Sequence, residues 1–488
     1  MQDARGNIRD CRGGVNLSNL QILGQAGIKN LENKAQANHP AFYPFILLSF
    51  YPFILLSFYP FIPLAFNSSS VVEYDCLNNR FRFMPNAQLT PLEQALDALL
   101  DDVHVNSAAV DVSLPDALGS VLAQGQQAVV DVPAFDNSAM DGYAVNTADL
   151  DGPGCLLKVS QTIAAGHPGT ALETGTAARI FTGAPIPPGA DAVVLQEDTR
   201  QEEGMVIIDE LPSSGANIRL KGHDIAMGSE ILSTGHRLRA QDLGMLASLG
   251  IDTVTVKKPL TVAIINTGDE VVAPGQPLEL GQIYDSNSFT LDGLLSGLGM
   301  RVIKKGIVAD TLEATESALA SAADEADCIL TTGGVSVGDE DHVRQAVENL
   351  GQLSLWKLAI KPGKPFSYGR IDDSPFFGLP GNPVAVFVTF VMLVRPYLLK
   401  VQGCNTTSIP HVMVKAGFET SKANTRLEFI RARLLNRGDA TQELEPFGNQ
   451  GSSIMTSLSW ADGLVEIPLG ETVQKGQLLK FMPFSGIL

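Results

Sequence analysis

Residues 260–268 read LTVAIINTG and residues 327–334 read DCILTTGG, two short apolar runs that each end in a turn containing glycine. The first is followed by SNSFTLDGLLSGLG (286–299) and the second is preceded by TLEATESALASAADEA (311–326), both with helical spacing of their apolar residues. RVIKKGIVAD (301–310) reads as a strand between these helices, and DHVRQAVENLG (341–351) as a helix after the second run. Then come LSLWKLAI (353–360), FFGLPG (376–381) and a long apolar helix, NPVAVFVTFVMLVRPYLLKVQG (382–403). Strands alternating with helices of ten or more residues predict a doubly wound, mostly parallel α/β domain over 259–403.

On either side the pattern changes. Residues 131–224 are rich in Val, Gly and Pro in short runs such as ARIFTGAPIPPGADAVVLQED (178–198), which predicts a β-rich domain. Residues 84–130 carry an N-terminal helix and a linking segment, to which the chain returns over 225–258. The helix is expected in PLEQALDALLDD, with Thr90 as N-cap and Pro91 at the first helical position. After Cys404, HVMVKAGF, LEFIRARLL, GLVEIP and QLLKFMPF predict a small C-terminal β-barrel over 404–488.

The first 83 residues read as a separate leader. YPFILLSF occurs at 43–50 and again at 51–58, followed by YPFIPLAF at 59–66. The uncharged run is long enough to span a bilayer, but Pro44, Pro52, Pro60 and Pro63 would break its helical turns. Two readings stand: an interrupted membrane anchor, or a stretch outside the functional protein with translation beginning at Met84. Some forty mostly polar residues before the apolar run argue against a signal peptide. No segment after Phe66 reads as transmembrane.

Composition narrows the chemistry. The chain holds 34 Lys and Arg against 53 Asp and Glu, a formal charge of −19, so a broad phosphate-tracking surface for nucleic acid is excluded. Any anionic ligand must be held by a few placed cations and backbone amides. Five widely spaced cysteines with no CxxC pair argue against a disulfide framework or a structural zinc site, and for a cytoplasmic setting.

In an open α/β sheet, ligands sit beyond the carboxyl ends of the strands. Those ends carry Thr267-Gly268-Asp269-Glu270, Thr331-Thr332-Gly333-Gly334-Val335-Ser336, the lysines Lys357, Lys361 and Lys364, and Pro380-Gly381-Asn382-Pro383. Glycines 333 and 334 let backbone N–H groups approach an anion, and the lysines supply local positive charge. Glu270, Asp339 and Asp341 are hard oxygen donors suited to Mg²⁺ bridging a phosphate. Each feature alone has a bland reading as a tight turn, a cap or a solvated edge. Four of them at four strand ends of one sheet point to a phosphate-handling cleft.

The run FDNSAMDGYA (135–144) resembles the signature of the molybdopterin molybdenumtransferases, or molybdate insertases, a family related to the E domain of gephyrin. RIFTGAPIPPGADAVV (179–194), NIRLKGHDI (217–225), NTGDE (266–270), GQIYDSNS (281–288), TTGGVSVGDED (331–341), WKLAIKPGKP (356–365) and GLPGNPV (378–384) resemble further motifs of that family, in order, and the likeness spans Met84 to Leu488. The resemblance implies a four-part subunit and a homodimer whose active site lies between the α/β domain of one subunit and the β-rich domain of the other. It implies that adenylylated molybdopterin and molybdate react to give molybdenum cofactor and AMP, with Mg²⁺ required. Functional acids would fall on Asp141, Asp224, Glu270, Asp310 and Asp341. Thr182, Lys357, Lys361, Arg431 and Ser452 would line the cleft. Molybdate, a small dianion, would find donors in Ser452, Arg431 or the helix N-terminus after Asn382. Two other classes are weighed: a gephyrin-like scaffold for receptor peptides, which has no need of intact acids, and a pterin adenylyltransferase, which lacks the MDGY and TGAP regions.

Overall fold

The computed structural model describes residues 64–66, 70–75, 80–83, 89–333, 342–436 and 442–487. The chain divides into two compact units, residues 1–88 and 89–488. Within the stretch read as a separate leader, Leu64–Phe66, Ser70–Asp75 and Arg80–Phe83 pair into a three-stranded antiparallel sheet. The octapeptide repeat from 43 to 63 lies outside the described residues.

The α/β domain holds a six-stranded sheet in the order Arg301–Val308, Thr261–Thr267, Cys328–Thr332, Ser374–Leu379, Pro365–Ile371, Gly351–Lys357. The first four are mutually parallel and the last two pair antiparallel. The strand Pro365–Ile371 has no counterpart in the sequence reading. By reversing the chain it turns Gly351–Lys357 back into the direction of the parallel four, so Lys357 ends at the same edge as Thr267, Thr332 and Leu379. Helix Asn287–Gly297 and the helix spanning Pro383–Val401 cover one face, packed on Val262, Ile264, Leu330 and Phe377. Helices Leu312–Glu325 and His342–Leu350 cover the other, on Ala263, Ile265, Ile329 and Phe376. Burial on both faces explains why the central strands Thr261–Thr267, Cys328–Thr332 and Ser374–Leu379 read as near-continuous apolar runs.

By length and composition the helix Pro383–Val401 would suffice to cross a bilayer, yet 78% of its apolar window is buried inside the protein. It is the spine of the largest core. Residues 390–394 widen into a π-turn just before Pro396. Proline has no N–H to return to the preceding turn and its ring crowds the carbonyl there, which accounts for the widening.

Helix Leu92–Asp101 buries Leu92, Ala95 and Leu99 in this same core, so it packs with the α/β domain rather than with the linking segment. Its N-terminal flank is Pro91, with no side-chain cap. Thr90 is not the cap expected of it: its N–H donates to the Lys357 carbonyl at 2.7 Å and its carbonyl accepts from the Ala359 N–H at 2.7 Å. Competing strand-like pairing has taken the residue. At the other end Asp102 accepts from Arg370 and from the Tyr368 hydroxyl, which ties the helix to the sheet.

The linking body is built from two distant segments. Ala109–Ser113 pairs with Thr253–Lys257 and Gln126–Gln127 with Glu230–Leu232, and helix Ala240–Ser248 closes a small core around Leu122, Leu238, Leu246 and Val254. Between them stands the β-rich domain, a six-stranded sheet ordered 192–195, 142–145, 176–180, 155–163, 205–208, 199–202. Its neck is two antiparallel segments: Val132 and Ile225 exchange N–H···O bonds at 2.8 and 3.0 Å, and the Ala128 N–H donates to the Ser229 carbonyl at 2.9 Å.

The C-terminal strands close into a five-stranded barrel. Leu427–Asn436, Gln442–Pro446, Val412–Ala416, Leu478–Pro483 and Gly463–Ile467 are each bonded to the next, and the last returns to the first. The first barrel strand also pairs in parallel with Ile360–Lys361, which fastens the barrel to the lysine-bearing turn of the α/β domain.

Candidate functional site

A cavity of about 350 Å³ opens where three pieces of chain meet. The turn 361–365 forms one wall and Pro380, Gly381, Asn382 and Ala385, at the start of the long helix, form the second. Arg426 and the loop Gln450–Ser452 from the barrel form the third. Lys361, Lys364, Pro380, Gly381, Asn382 and Ser452, scattered over 92 positions of sequence, thus line one space.

Each wall has a local cause. Gly363 adopts φ 106°, and a Cβ there would lie 2.6 Å from the Thr389 methyl, so only glycine lets the lysine turn settle against the helix. Asn382 flanks the helix with extended dihedrals and Pro383 opens it. The Asn287 amide donates to the Gly381 carbonyl at 2.8 Å and holds that turn, while its own buried Oδ1 has no partner among the described residues. From the barrel, the Ser452 carbonyl accepts the Val384 N–H at 3.0 Å. With Pro383 lacking an N–H and Val384's already bonded, the helix N-terminus offers an anion less than its sequence suggests. The dipole remains.

The charges differ in how they are held. The Lys361 ammonium lies 2.7 Å from Glu428, directly opposite it in the short parallel ladder. Arg426 donates to the Ile360 carbonyl at 3.0 Å. Among the described residues it has no carboxylate partner, and neither does Lys364. Arg431 is only 1% exposed and does not line the cavity. Its guanidinium donates to Ser457 Oγ at 3.0 Å, the Phe429 carbonyl at 3.3 Å and the Gly451 carbonyl at 3.1 Å. Burial pushes it down to about 10, with the Glu428 carboxylate pulling the other way. The expected ligand contact is therefore a strut beneath the cavity loop.

At the same edge of the sheet, Asp269 and Glu270 are exposed, and Asp310 follows the neighbouring strand with its N–H 3.4 Å from Asp269 Oδ1. Gly268 at φ 132° turns the chain so that the Glu270 carboxylate folds back over it. Lys357 is exposed at the end of its strand and does not line the cavity. Gly333 follows strand Cys328–Thr332, its N–H on the Leu379 carbonyl at 3.2 Å. Gly334, Ser336, Asp339 and Asp341 lie outside the described residues. Among the described residues no three acidic, histidine or cysteine side chains converge as a metal site.

A second group stands in the β-rich domain. Asp141 Oδ1 accepts the Thr182 N–H at 2.7 Å and the Thr182 hydroxyl at 2.8 Å. These two bonds, with Arg179 nearby, hold the Asp141 carboxyl below the usual range and outweigh its slight desolvation. Arg179, which the sequence reading did not single out, donates to the Gly142 carbonyl at 2.9 Å and to Gln196 at 2.6 Å, and lies over the rings of Tyr143 and Phe181. Asp224 is exposed at the neck, its N–H on the Val132 carbonyl at 3.0 Å. Among the described residues, no hydrogen bond or ion pair within the chain joins this group to the lysine cavity.

Comparison with known proteins covers nearly all of the second unit. Residues 90–250 match the MoeA N-terminal region (domains I and II), 263–400 a probable molybdopterin-binding domain, and 413–484 the MoeA C-terminal region (domain IV). The chain is 38% identical over 401 residues to a molybdopterin molybdenumtransferase of Haemophilus influenzae, spanning 81% of this chain and 99% of that one. A second, from a Nostoc species, is 38% identical over 372 residues, 74% of this chain and 85% of the relative. The solved structure of a molybdopterin biosynthesis moeA protein from Pyrococcus horikoshii superposes with a TM-score of 0.70 at 30% identity, over 81% of this chain and all of the other.

Proposed function

Since the chain belongs to the MoeA family of molybdopterin molybdenumtransferases, enzymes of molybdenum cofactor biosynthesis, we propose that its barrel-side cavity receives molybdate for transfer to adenylylated molybdopterin with release of AMP. The observation that carries this reading is the convergence of Lys361, Lys364 and Arg426 on a space of about 350 Å³ in a chain of net charge −19. Cations concentrated against the overall charge point to a small anion as the occupant. Asn382 and Ser452 supply neutral polar groups alongside.

The adenylylated substrate would lie along the carboxyl edge of the sheet. Lys357 and the Gly333 turn would face its phosphates, and Asn287 Oδ1, which has no partner among the described residues, is an acceptor for a ligand N–H. Cleaving a phosphoanhydride concentrates charge on the leaving phosphate, so fixed cations there lower the barrier. Exposed carboxylates at a strand end suit Mg²⁺, which keeps several waters and takes one or two carboxylates plus substrate phosphates. Glu270, with Asp339 and Asp341, would hold the ion, and when bound it would neutralise phosphate oxygens.

Asp141 and Thr182 would act from the opposite wall. Thr182 fixes one carboxylate oxygen and leaves the other to face the substrate. Among the described residues no bond joins this group to the lysine cavity, and in this reading the complete site would form across a cytoplasmic homodimer, α/β domain against β-rich domain. Co-expressing Asp141→Asn with Asp341→Asn tests this. Each homodimer should be inactive, and the mixed dimer should regain close to half of normal AMP release, because a two-fold interface places both lesions in one site and none in the other. No recovery would refute the shared site.

A further inference from the structure

Glu428 is placed to govern the oxyanion cavity, though it does not line it. It sits on the first barrel strand, opposite Lys361 in the parallel ladder, with one oxygen 2.7 Å from the Lys361 ammonium and the other accepting from the Asn424 amide. Its side chain is 11% exposed, against 45% for Lys361. The neighbouring bonds, Arg426 to the Ile360 carbonyl at 3.0 Å and the Leu427 N–H to the Ala359 carbonyl at 2.9 Å, fix the two strips of chain together. A carboxylate with both oxygens engaged and its backbone pinned does not swing away. Lys361, with a flexible stem, is the mobile partner.

We propose that Glu428 is a positioning residue acting through Lys361: it holds the ammonium at the cavity wall and offsets part of the positive field that an oxyanion feels. Three cations line the cavity, and one carboxylate is paired with the Lys361 ammonium among them. The buried Arg431 charge is common to every variant considered below. The offset limits affinity. A pocket that must hand its dianion on to a second substrate gains nothing from binding it too tightly. The inference rests on the oxyanion reading of the cavity.

The test is calorimetric titration of sodium molybdate into the full chain at fixed ionic strength, with Glu428→Gln, Lys361→Gln and the double variant. Removing one charge within a few ångströms of a partly buried anion changes affinity by about tenfold. Glu428→Gln should therefore bind molybdate about fivefold or more tightly, and Lys361→Gln about tenfold more weakly. The double variant, with the field restored, should return to within about threefold of the wild type. A role in folding alone would leave the double variant no better than Lys361→Gln, and that result would overturn the proposal even if Glu428→Gln proved unstable alone. A folded Glu428→Gln protein that binds no more tightly than the wild type also overturns it. If the wild type binds no molybdate, the reading of the cavity itself falls, and this inference with it.

Discussion

Replacing Arg431 by methionine separates two roles that the sequence alone cannot distinguish. Methionine has similar length, is apolar, and suits a site that is 1% exposed. The change removes bonds to Ser457 Oγ, the Phe429 carbonyl and the Gly451 carbonyl. Hydrogen bonds to a charged group contribute about 1.5–3 kcal/mol each, and a buried acceptor left unpaired costs about 1–3 kcal/mol. Against these stands relief from holding a guanidinium away from water, which the downward shift to about 10 registers. The net expectation is a loss of about 2–3 kcal/mol, read as a lower urea midpoint with an unchanged slope. Molybdate affinity should fall by less than about tenfold, through a looser Gly451–Ser452 loop, and its dependence on salt should stay as it is, because no charge facing the anion has gone. Unchanged stability with binding abolished and a shallower salt dependence would refute the strut and return Arg431 to the ligand.

Thr182→Val keeps the backbone bond to Asp141 but removes the hydroxyl bond, so the Asp141 carboxyl should rise toward its ordinary range. The acid limb of the AMP-release profile should move to higher pH, and an unmoved limb would exclude Asp141 as the carboxylate that matters. Asp242 is buried, yet bonds from Arg239, His236 and the Arg239 N–H overcome that burial and hold its carboxyl far below the usual range. Its stabilising contribution is present above the unfolded value near pH 4 and is lost as the pH falls through the lower folded value. Asp242→Asn should therefore cost about 2 kcal/mol at pH 7, and the gap to wild type in denaturation curves should close below about pH 4. A chain beginning at Met84 should fold and keep full AMP release, since the second unit begins at Leu89. Insolubility of that chain while the longer one works would show that the leader matters.

The parallel strands were legible because burial on both faces leaves runs such as TVAIINT and CILTT without alternation. PFSYGRI was not, because a small residue, a glycine and an arginine interrupt it and its strand character comes from pairing on both sides. The cation turn could be read locally, since Lys361 and Lys364 sit next to a proline and a glycine. Its counterparts could not. Arg426 and Glu428 look like ordinary charged residues at the start of a strand, and only the docking of the barrel onto Ile360–Lys361 brings Arg426 to the cavity and Glu428 against Lys361. Arg431 misled for the opposite reason: a cation near the right motif gives no sign of facing inward.

The β-rich domain enters and leaves through one paired neck, and this has a consequence for how the chain assembles. Val132 and Ile225 are bonded neighbours although 93 positions apart. Once the inserted domain folds, its two ends are already side by side, so the flanking segments 109–127 and 230–257 meet as though joined by a short hairpin. In that order of folding, the entropy of closing the long loop is met by the inserted domain and not by the linking body. The host then depends on the insertion's ends being adjacent rather than on what stands above them. A tight turn linking Val132 directly to Ile225 would present the linking body with the same boundary, so the Asp141-bearing module and the body beneath it are separable in folding.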